Sequence, residues 1–309
     1  MIYTVTLNPA IDKTVVIPDF AAGEVNRVQS LRIDAGGKGI NVSKCLDSLG
    51  VKSIAGAILG GTTGEQILTL LAQKELEVLS VFIPDQSRTN LKIIDPEQGK
   101  NTDINEPGPR VPESALLELR DGIGAKICPG DIVILSGSLP GGADVSLYGR
   151  WISFFHSLGA VVFLDADGEA MQEGIKAIPY LIKPNEVELS RIVGRDLSAQ
   201  QEFIEAGKAL MQMGIKEVVI SLGSDGAIFI SEDGIFKADA LKVPVLSTVG
   251  AGDSMVAAMA YGLEKKLPRR KRIQLAVAIG AASVMCDGTQ APDAELVWKL
   301  AEQVEIQEV

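Results

Sequence analysis

The chain has 309 residues, 46% of them apolar, 22% charged and 5% aromatic, an ordinary globular balance with ample chain for a large core. Its net charge of −11 argues against nucleic acid or an anionic membrane as the main partner, and any anionic ligand needs a local cradle of amides, Lys and Arg. A single histidine, His156, excludes a His-rich metal site, and three scattered cysteines (Cys45, Cys128, Cys286) without a CxxC pair fit a reduced, cytoplasmic protein.

The opening MIYTVTLNPAIDK lacks the basic start and apolar core of a signal peptide, and no run of 18 uncharged apolar residues predicts a membrane span. A first strand ends at Asn8-Pro9-Ala10-Ile11-Asp12. Residues 11–34 then alternate apolar and polar without a helix. Asp34-Ala35-Gly36-Gly37-Lys38-Gly39-Ile40-Asn41 opens a helix in which Val42, Cys45, Leu46 and Leu49 keep helical spacing, with Gly50 where a C-cap glycine belongs. Residues 88–105 alternate again: Thr89 to Asp95 is one hairpin arm, Pro96 to Gly99 the turn, and the chain returns through Thr102 to Ile104. Together 11–34 and 88–105 predict a small β lid. One face of such a lid covers a site and the other needs cover, which a homodimer through the lid would supply.

Val133 to Leu135, Val161 to Leu164, Leu181-Ile182 and Val218 to Ile220 are continuous apolar runs, as strands buried on both faces of a parallel sheet require. Residues 200–213, with Phe203, Ile204, Ala206, Leu210 and Met211, form a helix between them. Residues 226–239 read as a hairpin turning at Glu232-Asp233-Gly234. The alternation predicts one α/β domain over 1–309: a doubly wound, mostly parallel sheet with helices on both faces, and ligands at the carboxyl ends of the strands. The basic cluster Lys265-Lys266 with Arg269-Arg270-Lys271-Arg272 has no interleaved aromatics and reads as a solvated helix start after Pro268.

Polar and glycine signals sit at those carboxyl ends. Ser247-Thr248-Val249-Gly250-Ala251-Gly252-Asp253-Ser254 precedes an apolar helix (Met255, Val256, Met259, Leu263). Glycines at a helix start bring amides to a phosphate, the dipole favours its charge, and Asp253 can accept a hydroxyl proton. A lone Gly-Asp pair would read only as a dipole-suited carboxylate; the full string favours chemistry. In Gly36-Gly37-Lys38-Gly39-Ile40-Asn41, Lys38 and Asn41 supply donors to sugar hydroxyls or phosphate; a plain glycine loop is the alternative, and neither a P-loop nor a GxGxxG string is present. Asn185 and Glu188 in Lys183-Pro184-Asn185-Glu186-Val187-Glu188 can orient Mg²⁺ through its waters, or form a capping box. Asp12, Arg88, Ser136-Gly137-Ser138 and Ser221-Leu222-Gly223-Ser224-Asp225-Gly226 each admit a binding role or a turn. No GxSxG elbow supports a serine hydrolase.

These motifs together resemble the ribokinase (PfkB-like) carbohydrate kinase family, nearly end to end, and TLNPAIDK, GGKGINVS and STVGAGDSMVA resemble its hexose-phosphate branch. The resemblance implies a ribokinase-like fold and ATP-dependent phosphorylation of a ketohexose phosphate. Fructose 1-phosphate comes first, with tagatose 6-phosphate and fructose 6-phosphate as alternatives and a non-catalytic sugar-phosphate sensor as a further one. It implies Asp253 as base and Gly250, Ala251 and Gly252 as anion hole. Asp12, Gly37, Lys38 and Asn41 would hold the sugar, with Lys38, Arg88 and Ser138 around its phosphate. Lys183, Asn185, Ser221, Gly223, Gly226 and Ser283 would line the nucleotide, and Asn185 and Glu188 would organise Mg²⁺ through water. The implied cofactors are ATP and Mg²⁺, with K⁺ left open. The chain departs from the pattern at Leu164-Asp165-Ala166-Asp167-Gly168-Glu169, where Asp167 stands in a position often held by serine.

Overall fold

A computed structural model describes residues 1–309. In chain order, β1 (Ile2–Thr6) is buried throughout. The polar-edged strands β2 (Ala10–Val16) and β3 (Ser30–Gly36) follow. The chain continues through α1 (Lys38–Ser48), β4 (Ser53–Gly60), α2 (Gly61–Ala72) and β5 (Glu77–Ile83). β6 (Arg88–Asp95) and β7 (Lys100–Asn105) form a hairpin. Strand and helix then alternate through α3 (Glu113–Gly124), β8 (Ile132–Ser136), α4 (Leu147–Ser157), β9 (Val161–Asp165), α5 (Gly168–Ile175) and β10 (Leu181–Ile182). Next come α6 (Glu186–Val193), α7 (Gln200–Gln212), β11 (Glu217–Ser221) and the hairpin β12 (Ala227–Ser231) and β13 (Gly234–Ala238). α8 (Ala251–Glu264), α9 (Arg269–Val284), α10 (Ala294–Ala301) and β14 (Ile306–Glu308) close the chain.

The main sheet has ten strands in the order β14-β13-β12-β11-β10-β9-β8-β1-β4-β5. Every pairing from β5 to β11 is parallel, and β12, β13 and β14 add antiparallel at one edge. Side-chain alternation feeds two cores. Val133 and Leu135 of β8 pack with Trp151 and Phe155 of α4 on one face, whereas Ile132 and Ile134 pack with Val256 and Ile279 on the other. The sheet is therefore covered on both faces, and its order reverses at β1, which lies between β4 and β8. Such a switch point opens a crevice at the strands' carboxyl ends. No helix is long and apolar enough to cross a membrane.

The lid is a separate four-stranded sheet, β3-β2-β6-β7. Its register pairs Asp12 with Asn90 and Asp34, Thr14 with Lys92 and Arg32, and Lys92 with Asp103. With a period of two, one face is polar along Asp12, Thr14, Asn90 and Lys92, with Val16 and Ile94 at its far end, and the other carries Ile11, Val15, Leu31, Ile33, Leu91, Ile93 and Ile104. Ile11 and Ala35 bury against Ile67 and Leu71 of α2, whereas Leu31 and Ile104 remain 56% and 52% exposed. The expected strand pattern across 11–34 is interrupted. Residues 17–29 are irregular, and the Asp95 carboxylate accepts from the amides of Asp19 and Phe20, drawing the chain into a turn instead of a strand.

The basic cluster differs from the expected solvated start. Arg269 and Arg272 each place Nη1 3.0 Å from Glu217 Oε1, and Arg272 is buried. Glu217 opens a strand inside the sheet, and a carboxylate there needs charged partners.

Candidate active site

Gly250 caps α8 with φ of 83°, a left-handed conformation that glycine adopts without a side-chain clash. The first turn of the helix leaves the amides of Ala251, Gly252 and Asp253 without intrahelical acceptors. Asp253 lies in that turn, buried, and its Oδ2 accepts from Asn41 Nδ2 at 2.9 Å. Burial, then the Asp165 charge, push the Asp253 carboxyl up to about 6, against the opposing pull of Lys38, Asn41 and Lys183. A carboxylate in that range is a competent base near neutrality.

Two ammoniums border the same helix end. Lys38 Nζ is 3.3 Å and Lys183 Nζ 3.7 Å from Asp165 Oδ1. Burial alone would raise Asp165, but Lys183 and Lys38 more than offset it and hold the carboxyl below its usual range. Burial would lower Lys38, yet Asp165, Asp253 and Glu188 keep it raised. A Cβ at Gly252 would stand 2.9 Å from Lys183 Nζ, so the glycine leaves room for that ammonium against the helix turn. Asp165, at the carboxyl end of β9, thus holds two lysines beside a row of free amides.

The lid supplies the opposite wall. Arg88 Nε and Nη1 donate to the carbonyls of Asn8 and Glu106, each at 3.1 Å, which fixes the guanidinium and leaves Nη2 for a ligand. Asn8 Nδ2 donates to Ser138 Oγ at 3.3 Å. Burial raises Asp12, whose Oδ1 accepts from Asn90 Nδ2 at 2.9 Å. Lys92 Nζ donates to Ser247 Oγ at 2.8 Å, joining the lid to the loop before α8. These walls enclose a cleft of about 500 Å³ that brings together Asp12, Gly37, Lys38, Asn41, Arg88, Ser138, Gly250 and Asp253. Only 2 of its 23 lining residues are hydrophobic, which suits a hydroxylated, charged ligand.

The other expected positions lie elsewhere. Lys183 is buried behind Gly252. Asn185 and Glu188 form a full capping box on α6, Asn185 Oδ1 accepting from the Glu188 amide at 2.8 Å and Glu188 Oε2 from the Asn185 amide at 2.9 Å. Ser221 pairs with Asn185 in an isolated bridge. Gly223 and Gly226 flank Ser224 and Asp225, which edge a second hollow of about 400 Å³ with Glu186, Ala240 and Lys242. Ser283 is buried, its hydroxyl 2.6 Å from that of Ser254. Mg²⁺ fits these donors: Glu188 Oε1 stays outside the cap, and Asp165 Oδ2 is buried without a hydrogen-bond partner. No group of three or more acidic, His or Cys side chains is placed to hold a metal ion by itself.

Asn90, Lys92, Asp165 and Asp167 line or organise the site without having been named for it from sequence. Arg88, Asn90 and Lys92 recur at every second residue of one lid strand, a pattern visible in the sequence. Asp167 is the N-cap of α5 but makes no capping bond; it opens into the cleft, and its charge opposes the burial that lowers Arg88.

The pfkB family carbohydrate kinase model matches residues 5–296. The chain is 36% identical over 306 residues to a 1-phosphofructokinase of Haemophilus influenzae, covering 99% of this chain and 97% of that one. It is 35% identical over 311 residues to that of Bacillus subtilis, covering 99% of each. Phosphofructokinase-2 from Escherichia coli, solved in complex with potassium, superposes with a TM-score of 0.93 at 31% identity over 98% of both chains.

Proposed function

The chain belongs to the pfkB family of carbohydrate kinases, and from that premise we propose that it transfers the γ-phosphoryl group of ATP to fructose 1-phosphate, giving fructose 1,6-bisphosphate, with Asp253 as base. The chain is an ATP-dependent sugar-phosphate kinase; the substrate and the residue roles are the proposal. The observation that carries it is the convergence of Asp253, Gly250 at the start of α8, Lys38 and Arg88 on one polar cleft.

Arg88, with Ser138 and Lys38, clamps the phosphate already on the sugar. Asp12, Gly37 and Asn41 hold its hydroxyls, with one hydroxyl directed at Asp253. As that oxygen attacks, Asp253 takes its proton. The amides of Ala251, Gly252 and Asp253 and the two ammoniums hold the charge of the moving phosphoryl group. Lys183, Asn185, Ser221, Gly223 and Gly226 border the nucleotide, and Ser283 supports the wall near its base. Mg²⁺ supplies charge neutralisation at the nucleotide phosphates, and Glu188, Asn185 and Asp165 are the groups to hold its waters. K⁺ beside the anion hole is included, in line with the potassium complex of the Escherichia coli protein.

The chain works as one cytoplasmic unit, lid included. The exposed Leu31 and Ile104 on the lid's outer face favour a homodimer through it, which light scattering of the full chain checks. Coupled ADP release over fructose 1-phosphate, tagatose 6-phosphate and fructose 6-phosphate tests the substrate. Highest kcat/KM for fructose 1-phosphate is expected; preference for either 6-phosphate reassigns the substrate, and negligible turnover of all three overturns the reading.

A further inference from the structure

Lys44 is buried in α1, and the transfer chemistry gives it no direct task. Its ammonium donates to Asn41 Oδ1 at 3.3 Å, to Thr289 O at 3.3 Å, to Thr289 Oγ1 at 3.4 Å and to Ala35 O. No carboxylate touches it. Asp34 on β3 and Asp12 on β2 are the acidic groups that face it, Lys74 is the like charge, and burial lowers its proton affinity. A charge kept in so dry a place needs a reason.

We propose that Lys44 is a positioning residue that sets the orientation of the Asn41 amide, and through it the ionisation and direction of the base Asp253. An ammonium has only protons to offer, so the Asn41 atom facing it must be the carbonyl oxygen. Asn41 lies three residues before Lys44 on the same helix face, and fixing Oδ1 toward Lys44 turns Nδ2 toward Asp253. The 2.9 Å bond from Nδ2 to Asp253 Oδ2 follows. Without the ammonium, the amide can reverse and set an oxygen against the carboxylate, which favours the protonated, inactive acid. The same ammonium also ties the end of lid strand β3, at Ala35, to Thr289 on the cleft wall. The groups facing Asp253 itself are Asp165 from β9, Lys38 and Asn41 from α1, and Lys183 from the segment after β10.

This inference rests on Asp253 being the base. Asp253→Asn tests that reading alone: if it retained full activity, the base assignment would go, whatever Lys44 does. Lys44 is tested by the acid limb of kcat/KM against pH in the full-length enzyme. Lys44→Met is expected to move that limb upward by about one pH unit, the order of losing one hydrogen bond to a charged group. Lys44→Arg, another cation without an acceptor, restores part of the shift. In an Asn41→Ala background the Lys44 change adds no further shift, because the relay is already cut. If Lys44→Met does not fold, Lys44→Leu, likewise without a donor, carries the same comparison. A limb that stays at the wild-type pH, or a shift that adds in full to that of Asn41→Ala, overturns the proposal.

Discussion

Replacing Asp253 by Asn separates the chemistry of the site from its stability. Asn is neutral, has nearly the same shape and still offers an oxygen to Asn41, so the cleft persists and ATP binding is retained. Loss of the base predicts a fall in kcat of about 10²–10⁴-fold. The folded-state acidity of Asp253 is raised from 3.8 to about 6, so the native protein holds this proton more tightly than the unfolded chain. The proton's contribution is complete below pH 3.8 and is lost as pH rises from there through about 6; the cost of the buried anion builds over that window and is constant above it. About two pH units at 1.36 kcal/mol each make that cost about 3 kcal/mol at pH 8, and about half of it at pH 5. Asp253→Asn should therefore melt about 5 °C higher at pH 8, with the gain shrinking toward pH 5. Coupled ADP release and thermal melts at both pH values measure the two effects. Retained kcat removes Asp253 as base, and an equal loss of Tm at both pH values refutes the electrostatic account. For the wild type, the same acidity puts the acid limb of kcat/KM near pH 6, activity rising as pH increases through it.

Arg88→Ala removes the anchored guanidinium and should raise KM for the sugar phosphate about 10- to 100-fold, leaving KM for ATP within about twofold; initial rates against each substrate check this. Asp167→Ser removes a negative charge that faces Arg88 across the cleft, and should lower KM for the sugar phosphate by about two- to fivefold, less at high ionic strength. Glu217→Gln leaves Arg269 and Arg272 short of their shared carboxylate and should destabilise the fold by about 3–5 kcal/mol, measured by denaturant unfolding, with kcat per folded molecule unchanged.

Much of this architecture is local and was legible in the chain. Continuous apolar runs such as Val133 to Leu135 need cover on both faces, which fixes a parallel sheet wherever they meet. Asn185 and Glu188, three residues apart at a helix start, carry their own capping box. Gly250 is required by one residue's backbone conformation. The strands β2, β6 and β7 could be drawn from alternation because their period repeats within a few residues.

What needed the tertiary structure was every relation between residues far apart in the chain. Nothing local tells Arg269 and Arg272 that Glu217 is buried 52 residues upstream of the first of them, so a cluster that reads as solvated becomes an ion triad. Nor does α1 announce that Asn41 meets Asp253 across 212 residues, or β9 that Asp165 holds both Lys38 and Lys183. Hydrogen bonds of this kind are decided by how the sheet order reverses at β1 and where it sets the lid. The sequence alone specified which groups could do the chemistry; the packing specified which of them meet, because the partner of a buried charge is set by distance in space and not by position along the chain.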